Sequence, residues 1–543
     1  MRGTMMNTPL TLVPFAERAA TLYPKVEIVS RLPDKSLHRS TYAEVAARAR
    51  ALAGALQAAG VEPGDRVATL CWNHYAHLEA YLGIPMAGAI LHTLNLRLFP
   101  DDIAFIAKHA ADRILIIDDV LLPLYEKIRD KIAFEKIIVV PLTGAAPDPA
   151  FENYERFLEG GGDHYTPVDL DENDGAAMCY TSGTTGDPKG VIYSHRALTL
   201  HSMALGLVDT IAISQNETIL PVVPMFHANA WGLPFAATLL GARQVFPGPY
   251  LDGENLLDLM AETGVTFAAG VPTIWLDVIQ RLEAAPDRWA LDSKLRTIVG
   301  GAACPESLIR RYHAQGIEVL HAWGMTEMSP VGTVCNIKPD LSDLPEDEAF
   351  RLRATQGRPV PFVDIRVVGD DGIGPWDGET MGELEVRGPW IAARYHDNSE
   401  AQDHWSADGW FRTGDVVTID PEGYVKITDR TKDLIKSGGE WISSVDVENA
   451  LMGHPAVAEA AVIAIPHPKW SERPLAAVVL VDGKEVGADD LRRYLAERFA
   501  KWWVPDAIVF VDEIPRTSTG KFQKRTLRDR FKDWTWPDEV ATG

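Results

Sequence analysis

Short apolar runs alternate with amphipathic stretches through the first part of the chain. The runs Arg66–Cys71, Arg113–Ile117 and Lys136–Val140 have the length and the aliphatic content that are typical of buried strands. The stretches His77–Ala87 and Leu121–Lys131, which lie between them, are predicted to be helical. Alternating strands and helices predict an α/β fold whose sheets contain parallel pairs of strands.

The stretch Thr41–Gly60 carries signals for both ends of a helix. Thr41 and Glu44 have the spacing of a capping box, and Gly60 is a natural stop. One face holds the apolar residues Val45, Leu52 and Leu56. The sequence therefore predicts an amphipathic helix here.

Four further apolar runs each end at a segment rich in small and polar residues. The runs are Ala176–Tyr180, Thr218–Val223, Leu295–Val299 and Ile317–Leu320, and they lead into YTSGTTGDPKG, PMFHANAWG, GGAAC and HAWGMTE. In open α/β sheets, ligands bind outside the carboxyl ends of the strands. We therefore expect these segments to form one active site, the alternative being four unrelated loops.

The pattern of apolar and polar residues changes after residue 336. Gly382–Arg387 and Tyr424–Ile427 are typical of half-buried strands in a β-rich subdomain, and residues 429–443 are polar. Further elements follow: a helix near Val447–Met452, strands Ala460–Ile465 and Leu475–Val481, and a helix Ala488–Lys501. About 100 residues are enough for a small domain. We predict an N-terminal domain over residues 1–430 and a C-terminal domain over residues 431–543.

Composition and charge exclude several classes of protein. The chain has 543 residues, of which 46% are hydrophobic, so that more than one globular domain is expected. The net charge of −24 argues against binding to nucleic acid or to anionic lipid. No run has the length of a membrane span or of a signal peptide core, so we expect no integral membrane association. The four cysteines lack CxxC spacing, so the sequence predicts neither a zinc site nor a disulfide framework. Reduced cysteines favour a cytoplasmic location.

The segment Tyr180–Gly190, which reads YTSGTTGDPKG, has the chemistry of a phosphate-binding loop. Its glycines allow sharp turns and close approach to a ligand, and its Ser and Thr residues offer hydroxyl and main-chain N–H donors. Lys189 adds a positive charge, but Gly190 follows it where the Walker pattern needs Ser or Thr. A polyphosphate ligand is therefore expected, the alternative being a polar surface loop.

This segment closely resembles the phosphate-loop signature of the adenylate-forming superfamily, and the other motifs extend the resemblance along the chain. It implies an α/β protein with a large N-terminal domain of α/β sheets plus a β-rich subdomain, and a small mobile α+β C-terminal domain. The activity implied is that of an AMP-forming acyl-CoA synthetase. A carboxylic acid and ATP would give acyl-AMP and pyrophosphate, and CoA would then give acyl-CoA and AMP.

The resemblance assigns ATP and Mg²⁺ to particular residues. The segment along the β- and γ-phosphates is Thr181, Ser182, Gly183, Thr184, Thr185, Gly186 and Lys189. The segments along adenosine and the α-phosphate are Gly301, Ala302 and Ala303, followed by His321, Ala322, Trp323, Gly324, Met325 and Thr326. Asp415 in WFRTGD would bind ribose, and Arg430 would contact ribose or phosphate. Thr181 and Glu327 would hold Mg²⁺, which prefers hard oxygen ligands.

The catalytic and acyl-binding roles also come from the resemblance. Lys521 in PRTSTGKFQKR is the expected catalytic lysine, which would bridge the substrate carboxylate and the α-phosphate; it would also contact ATP. His227 and Glu327 complete the catalytic set. The expected acyl pocket is formed by His227, Trp231, Gly301, Trp323 and Pro330. The two indoles favour a short acyl chain, and the alternative for His227 is a core histidine.

The hinge and the CoA channel are expected in the segment that follows Arg430. The residues implied are Lys432, Asp433, Lys436, Ser437, Gly438, Gly439, Glu440 and Trp441, with Asp433 as the hinge. A basic cluster would supply the local positive charge that the acidic chain lacks: Arg430, Lys432, Lys436, Arg473, Lys521, Lys524 and Arg525. A hinge residue has only to absorb a change in backbone angles.

The acyl group is left open by the sequence. The motifs KSGGEWISS, NALMGHP and IPHPKW are similar to those of medium- and long-chain fatty-acyl synthetases and of ligases that act on 3-(methylthio)propanoate in dimethylsulfoniopropionate degradation. We expect 3-(methylthio)propanoate or another short- or medium-chain acid, with a longer fatty acid as the alternative. An enzyme that loads a carrier protein and a non-enzymatic nucleotide sensor are further alternatives. A homodimer is expected from the resemblance.

Overall fold

The computed structural model describes residues 1, 3–145, 148–181, 188–437, 440–517 and 522–536. The fold is α/β, with a large N-terminal domain and a small C-terminal domain, as the sequence predicted. The chain passes from a strand of the β-rich sheet, Val425–Arg430, to a strand of the C-terminal sheet, Ile435–Ser437.

The largest sheet is mainly parallel. Its strands, in spatial order within the described residues, are Arg358–Pro359, Val331–Val334, Glu318–Gly324, Arg296–Val299, Phe267–Gly270, Thr218–Pro221, Arg243–Phe246, Glu27–Arg31 and Leu37–Thr41. The parallel strands end at the same edge, so their following loops meet there.

A second, mainly parallel sheet lies in the same domain. Its strands, in the order seen among the described residues, are Glu152–Asn153, Lys136–Val140, Asp112–Asp118, Arg66–Leu70, Ile90–Thr93, Gly175–Tyr180 and Gly190–Ser194. The last two form an antiparallel hairpin whose connection is the predicted phosphate loop.

The remaining sheets are mostly antiparallel. The β-rich sheet contains Gly372–Ile373, Asp364–Gly369, Gly382–Arg387, Phe411–Ile419 and Val425–Arg430. The C-terminal sheet contains Glu440–Ile442, Ile435–Ser437, Ser471–Leu480 and Val457–His467, and Ala507–Phe510 pairs in parallel with Ser471–Leu480.

Helices cover the sheets. The α-helices of the described residues are Val13–Leu22, Tyr42–Ala58, Tyr75–Met86, Pro100–His109, Leu122–Tyr125, Tyr154–Leu158, Gly161–His164, His195–Leu205, Leu233–Leu240, Gly253–Thr263, Pro272–Ala284, Glu306–Ala314, Glu346–Arg353, Ser444–Met452, Ala488–Ala496 and Lys524–Arg530. Single 3₁₀ turns occur at Asp119–Leu121, Thr326–Met328, Pro339–Leu341, Ser399–His404 and Lys501–Trp503.

The predicted helix after Thr41 is confirmed, with its end signals. Thr41 Oγ1 accepts from the N–H of Glu44 at 3.4 Å, and the N–H of Thr41 donates to Glu44 Oε2 at 2.8 Å. The helix ends at Ala58, and Gly60 follows with φ of +84°, where a residue with a Cβ would be strained.

Several predicted elements differ from those observed. The helix predicted over Leu121–Lys131 is α-helical only from Leu122 to Tyr125, because Ile128 is the one apolar residue in the rest of the segment. The C-terminal helix ends at Ala496 rather than Lys501, and Phe499 then stacks on Trp503 with ring centroids 5.4 Å apart.

The four motif-bearing strands belong to two sheets rather than one. Gly175–Tyr180 lies in the second sheet, whereas Thr218–Pro221, Arg296–Val299 and Glu318–Gly324 lie in the largest sheet. The strand predicted to end at Leu320 continues to Gly324, because Ala322–Gly324 pair with Val331–Val334. Residues 321–324 are therefore strand residues and not part of a loop.

One apolar core joins the first three sheets. Helix Tyr75–Met86 is buried along its whole length, and its side chains share this core with strands of both parallel sheets and of the β-rich sheet. The apolar residues of the C-terminal domain form separate clusters. The small domain therefore has its own core. No helix in the described ranges has the length and apolar character needed to cross a bilayer.

We predict that the buried imidazole of His77 makes folding sensitive to acid. Its ring nitrogens lie 3.0 Å from Thr69 Oγ1 and 3.0 Å from the carbonyl oxygen of Trp72, and burial lowers its pKa to about 3. Because an unfolded histidine titrates near ~6.5, the stability from neutral His77 is complete above that pH and is lost as the pH falls. At pH ~5 this contribution to the free energy of unfolding is smaller by about 2 kcal/mol.

The test compares the pH dependence of the free energy of unfolding in wild type and His77→Gln. Between pH ~6 and ~4 the free energy of unfolding of the variant should fall less steeply as the pH is lowered. The difference in slope should correspond to the uptake of up to about one proton on unfolding. His164→Gln, at an exposed site, serves as the control. Equal slopes for wild type and His77→Gln would contradict the prediction.

Candidate active site

A single cavity of about 1000 Å³ collects most of the predicted site residues that the structure describes. The predicted residues that line it are Thr181, Lys189, His227, Trp231, Gly301, Ala302, Ala303, His321, Ala322, Trp323, Gly324, Met325, Thr326, Glu327, Pro330, Asp415, Arg430, Lys432 and Asp433. Both parallel sheets, the β-rich sheet and the C-terminal domain contribute to the wall. The motif segments therefore meet, although their strands lie in two sheets.

Other predicted residues lie elsewhere. Ser182, Gly183, Thr184, Thr185, Gly186, Gly438, Gly439, Lys521 and the side chain of Glu440 lie outside the described residues, and their assignments stay predictions. Lys436, Ser437 and Trp441 are described, but they are not part of the cavity wall. They lie on the hairpin of Ile435–Ser437 and Glu440–Ile442, where the Lys436 ammonium is 5.1 Å from the Trp441 ring centroid.

The two ends of the phosphate-loop segment are clamped together. The N–H of Thr181 donates to the carbonyl oxygen of Lys189 at 2.9 Å, and Thr181 Oγ1 accepts from the N–H of Lys189 at 3.1 Å. These bonds close the hairpin of Gly175–Tyr180 and Gly190–Ser194. Both Thr181 and the side chain of Lys189 consequently face the cavity.

Glu327 places a buried carboxylate in the cavity wall. It sits on the 3₁₀ turn Thr326–Met328, where Oε1 accepts from the hydroxyl of Tyr395 at 2.7 Å. Burial and the neighbouring carboxylate raise the pKa of Tyr395, so its hydroxyl stays a donor. A buried carboxylate with a neutral partner favours a cation nearby, and the Thr181 hydroxyl on the same cavity supplies a second hard oxygen. These donors fit Mg²⁺.

Asp415 is held from two sides. Trp323 Nε1 donates to its Oδ2 at 2.8 Å, and Arg430 Nε lies 2.9 Å from its Oδ1. Asp415 and Arg430 are cross-strand partners in the β-rich sheet, whereas Trp323 comes from the largest sheet. The coulombic attraction of Asp415 raises the pKa of Arg430. The two contacts therefore fix the orientation of the carboxylate.

The segment expected along adenosine is positioned by His321. Its Nε2 accepts from the N–H of Cys304 at 3.3 Å, and its Nδ1 donates to the carbonyl oxygen of Ala354 at 3.0 Å. Burial lowers the pKa of His321 to about 4, so the ring is neutral at physiological pH. A neutral ring with its proton on Nδ1 fits both bonds, and it holds the small-residue loop Gly301–Ala303 against the cavity.

Two indoles of the cavity wall, those of Trp231 and Trp323, pack closely against glycines. A Cβ at Gly300 would lie 3.2 Å from the Trp231 ring, and a Cβ at Gly332 would lie 2.7 Å from the Trp323 ring. Both rings are buried. Gly300, which the sequence analysis missed, was signalled only by its place in GGAAC.

Trp231 belongs to a left-handed turn, Ala228–Trp231, in which all four residues have φ between +43° and +58°. This conformation costs about 1–2 kcal/mol for each residue with a Cβ. The side chain of Asn229 anchors the turn: its Nδ2 lies 3.3 Å from the Tyr81 hydroxyl, and its Oδ1 accepts from Cys179 at 3.5 Å. The position of Trp231 is therefore set by buried contacts outside the cavity.

The C-terminal domain contributes residues to the wall of the same cavity. Thr517 and Phe522, on either side of that position, both line the cavity. Further along, Lys524 pairs with Glu448 at 2.8 Å, and Arg528 pairs with Asp433 at 2.5 Å. The second pair ties the chain after Lys521 to the predicted hinge residue, and the first ties it to the helix Ser444–Met452.

Tyr395 and His404 also line the cavity and were not predicted. Tyr395 holds Glu327, and His404 Nε2 lies 3.2 Å from the Lys189 ammonium. They come from the segment between the β-strands Gly382–Arg387 and Phe411–Ile419, which carries no glycine-rich or motif signal. Only folding brings them to Glu327 and Lys189.

Comparison with known proteins finds relatives of the whole chain. The family profile AMP-binding enzyme matches residues 15–396, and AMP-binding enzyme C-terminal domain matches residues 446–521. A long-chain-fatty-acid–CoA ligase of Thermus thermophilus is 52% identical over 535 residues, covering 98% of this chain and 97% of that protein. A 3-methylmercaptopropionyl-CoA ligase of Ruegeria lacuscaerulensis is 46% identical over 539 residues, covering 98% and 99%. The crystal structure of an anthranilate CoA ligase with anthranoyl-AMP has a TM-score of 0.84 at 27% identity, covering 97% and 98%.

We predict that the Trp323–Asp415 bond contributes to ATP affinity. In Trp323→Phe the ring remains but the donor to Oδ2 is lost, so the carboxylate is less well oriented for ribose. Loss of a hydrogen bond to a charged group, about 1.5 kcal/mol, should raise the dissociation constant for ATP roughly tenfold in calorimetry.

The matched control is Trp289→Phe. Trp289 Nε1 also donates to a carboxylate, Asp258 Oδ1, at 2.7 Å, but this pair lies outside the cavity. ATP affinity should be unchanged in the control. An unchanged ATP dissociation constant in Trp323→Phe would show that the indole donor plays no part in nucleotide binding.

Proposed function

The chain belongs to the AMP-binding enzyme family and is an AMP-forming acyl-CoA ligase, and from this premise we propose its acid substrate and the role of each site residue. The proposed acid is 3-(methylthio)propanoate or another short- or medium-chain carboxylic acid. The packing of Trp231 against Gly300 carries this proposal, because it narrows the apolar end of the cavity. The 46% identity to a 3-methylmercaptopropionyl-CoA ligase supports it.

A medium- or long-chain fatty acid is the second candidate. The 52% identity to a long-chain-fatty-acid–CoA ligase favours it. A longer chain needs space beyond Trp231, and the left-handed turn Ala228–Trp231 holds that indole in place. The two candidates therefore differ in whether this side chain is a fixed wall.

In the first half-reaction, a carboxylate oxygen attacks the α-phosphorus of ATP, and the bond to pyrophosphate breaks. Both reactants are anionic, so their repulsion must be offset by positive charge. We assign this task to Lys521, and the position of Thr517 and Phe522 on the cavity wall supports the assignment. His227, half-buried beside Trp231, would orient the acid.

The nucleotide would be held by the remaining cavity residues. Asp415, fixed by Trp323 and Arg430, would accept from the ribose hydroxyls. Lys189 and the loop before it would bind the β- and γ-phosphates. Thr181 and Glu327 would hold Mg²⁺, which supplies positive charge to the phosphates when bound.

In the second half-reaction, the CoA sulfur attacks the acyl carbonyl carbon, and the bond to AMP breaks. We propose that the domains 1–430 and 431–543 rotate about Asp433 between the two steps, which would move Lys521 away. Lys436, Ser437 and Trp441 lie off the present cavity, as expected for residues that border a CoA channel after such a rotation. Arg528, paired with Asp433, would hold the hinge residue to the C-terminal domain.

We also propose a homodimer, which the resemblance implies, and a cytoplasmic location, which the cysteine pattern favours. The four cysteines, all free and buried, are consistent with a reducing compartment. Light scattering of the purified protein measures the oligomeric state directly.

The substrate proposal is tested by CoA-dependent AMP release across unbranched acids of two to twelve carbons and 3-(methylthio)propanoate. We predict the highest kcat/KM for 3-(methylthio)propanoate or acids of similar length. In Trp231→Ala the removed indole leaves space, so kcat/KM should shift toward longer acids by at least about tenfold relative to the short ones.

Trp289→Ala, which removes an indole outside the cavity, should leave the chain-length profile unchanged. A wild-type optimum at ten or more carbons would favour the fatty-acid candidate instead. Thioester formation with a carrier protein but not with free CoA would overturn the CoA assignment.

A further inference from the structure

The phosphate end of the cavity contains a cluster built from three separate parts of the chain. Lys189 follows the phosphate loop, Glu327 lies on the turn after the strand Glu318–Gly324, and Tyr395 and His404 precede the strand Phe411–Ile419. Tyr395 sits at the centre: its hydroxyl donates to Glu327 at 2.7 Å, and its ring centroid lies 5.2 Å from the Lys189 ammonium.

His404 completes the cluster on the side of Lys189. Its Nε2 lies 3.2 Å from Lys189 Nζ, and its ring packs edge-on against Tyr395 with centroids 5.5 Å apart. An ammonium group can only donate, so Nε2 must accept and the imidazole must be neutral with its proton on Nδ1. Burial, and then the charge of Lys189, lower the pKa of His404, while Glu327 and Asp403 oppose the shift.

The segment that carries His404 is anchored independently of Lys189. Asn398 Oδ1 accepts from the N–H of Ala401 at 3.2 Å at its start. Trp405 Nε1 donates to the carbonyl oxygen of Ala392 at 2.8 Å at its end. The imidazole is therefore presented by a supported turn, and the flexible partner in the contact is Lys189.

We propose that His404 is a positioning residue for ATP binding: its Nε2 accepts from the Lys189 ammonium and, with the Tyr395 ring, holds that cation at the phosphate end of the cavity. This inference rests on the proposed role of Lys189 at the β- and γ-phosphates. It adds to that role a residue outside the phosphate loop, separated from Lys189 by 215 positions in the sequence.

The physical benefit is preorganisation. Fixing a lysine side chain in one position costs conformational entropy. When His404 and Tyr395 already hold the ammonium near its working position, less of this cost falls on the binding of ATP. Thioester formation starts after pyrophosphate has left, so it should not depend on His404.

The test measures KM for ATP in His404→Ala, His404→Gln, Lys189→Ala and the double variant. We expect His404→Ala to raise KM for ATP roughly three- to tenfold, the effect of one hydrogen bond. His404→Gln, whose side-chain oxygen can accept from Lys189, should retain most of the wild-type value.

The double variant decides whether His404 acts through Lys189. If it does, the double variant should have the same KM for ATP as Lys189→Ala. If KM in the double variant instead rises by the product of the two single effects, the inference is overturned. An unchanged KM in His404→Ala beside a raised KM in Lys189→Ala would also overturn it. An unchanged KM in Lys189→Ala would instead refute the proposed phosphate role of that residue.

His454→Ala provides a matched control. His454 also packs edge-on against a tyrosine, Tyr494, with ring centroids 5.0 Å apart, but it lies outside the cavity. KM for ATP should be unchanged in this variant. A similar rise in the control would show that the effect of His404→Ala is a general loss of packing, which would also overturn the inference.

Discussion

The buried carboxylate of Asp415 is the constraint on which the arrangement of the site depends. A carboxylate removed from water needs partners with good geometry, because unpaired burial is costly. Its partners, Trp323 and Arg430, come from the largest sheet and from the last strand before the C-terminal domain. The Asp415 side chain therefore links the largest sheet to the β-rich sheet, next to the start of the connection to the small domain.

The opposite end of the cavity is governed by packing. The left-handed turn Ala228–Trp231 stores backbone strain, and buried contacts of Asn229 offset it away from the cavity. Because Asn229 anchors the turn, the indole of Trp231 can pack against Gly300, where we propose that the acyl group binds. Polar contacts thus hold the part of the cavity that we propose for the nucleotide, while a strained and well-anchored turn shapes the part that we propose for the acid.

Local signals in the sequence predicted local structure well. The capping box of Thr41 and Glu44 and the strand Lys136–Val140 are confirmed. The predicted helix after Leu121 was too long, because Ile128 is the one apolar residue in the predicted segment beyond Tyr125. The motifs identified the strand ends that meet in the cavity, but not their division between two sheets, since pairing depends on long-range contacts.

Contacts between distant segments were beyond the reach of the sequence. The bond from Trp323 to Asp415 joins residues 92 positions apart, and Tyr395 bonds to Glu327 across 68 positions. Neither Tyr395 nor His404 lies in a segment with a recognisable motif. Tyr395 and His404 gain their roles from contacts that form only in the folded chain. The chemistry of the phosphate-loop segment, in contrast, can be predicted from its composition.

The most direct test of the account is acid-dependent exchange of pyrophosphate into ATP by Lys521→Ala, with ATP affinity measured alongside by calorimetry. The account predicts that exchange falls at least about 100-fold, because charge stabilisation between the two anionic reactants is lost, while the ATP dissociation constant changes little. Lys532→Ala, which removes an exposed lysine nearby in the sequence, should leave exchange intact. Wild-type exchange by Lys521→Ala would contradict the claim that the C-terminal domain brings the catalytic cation to this cavity.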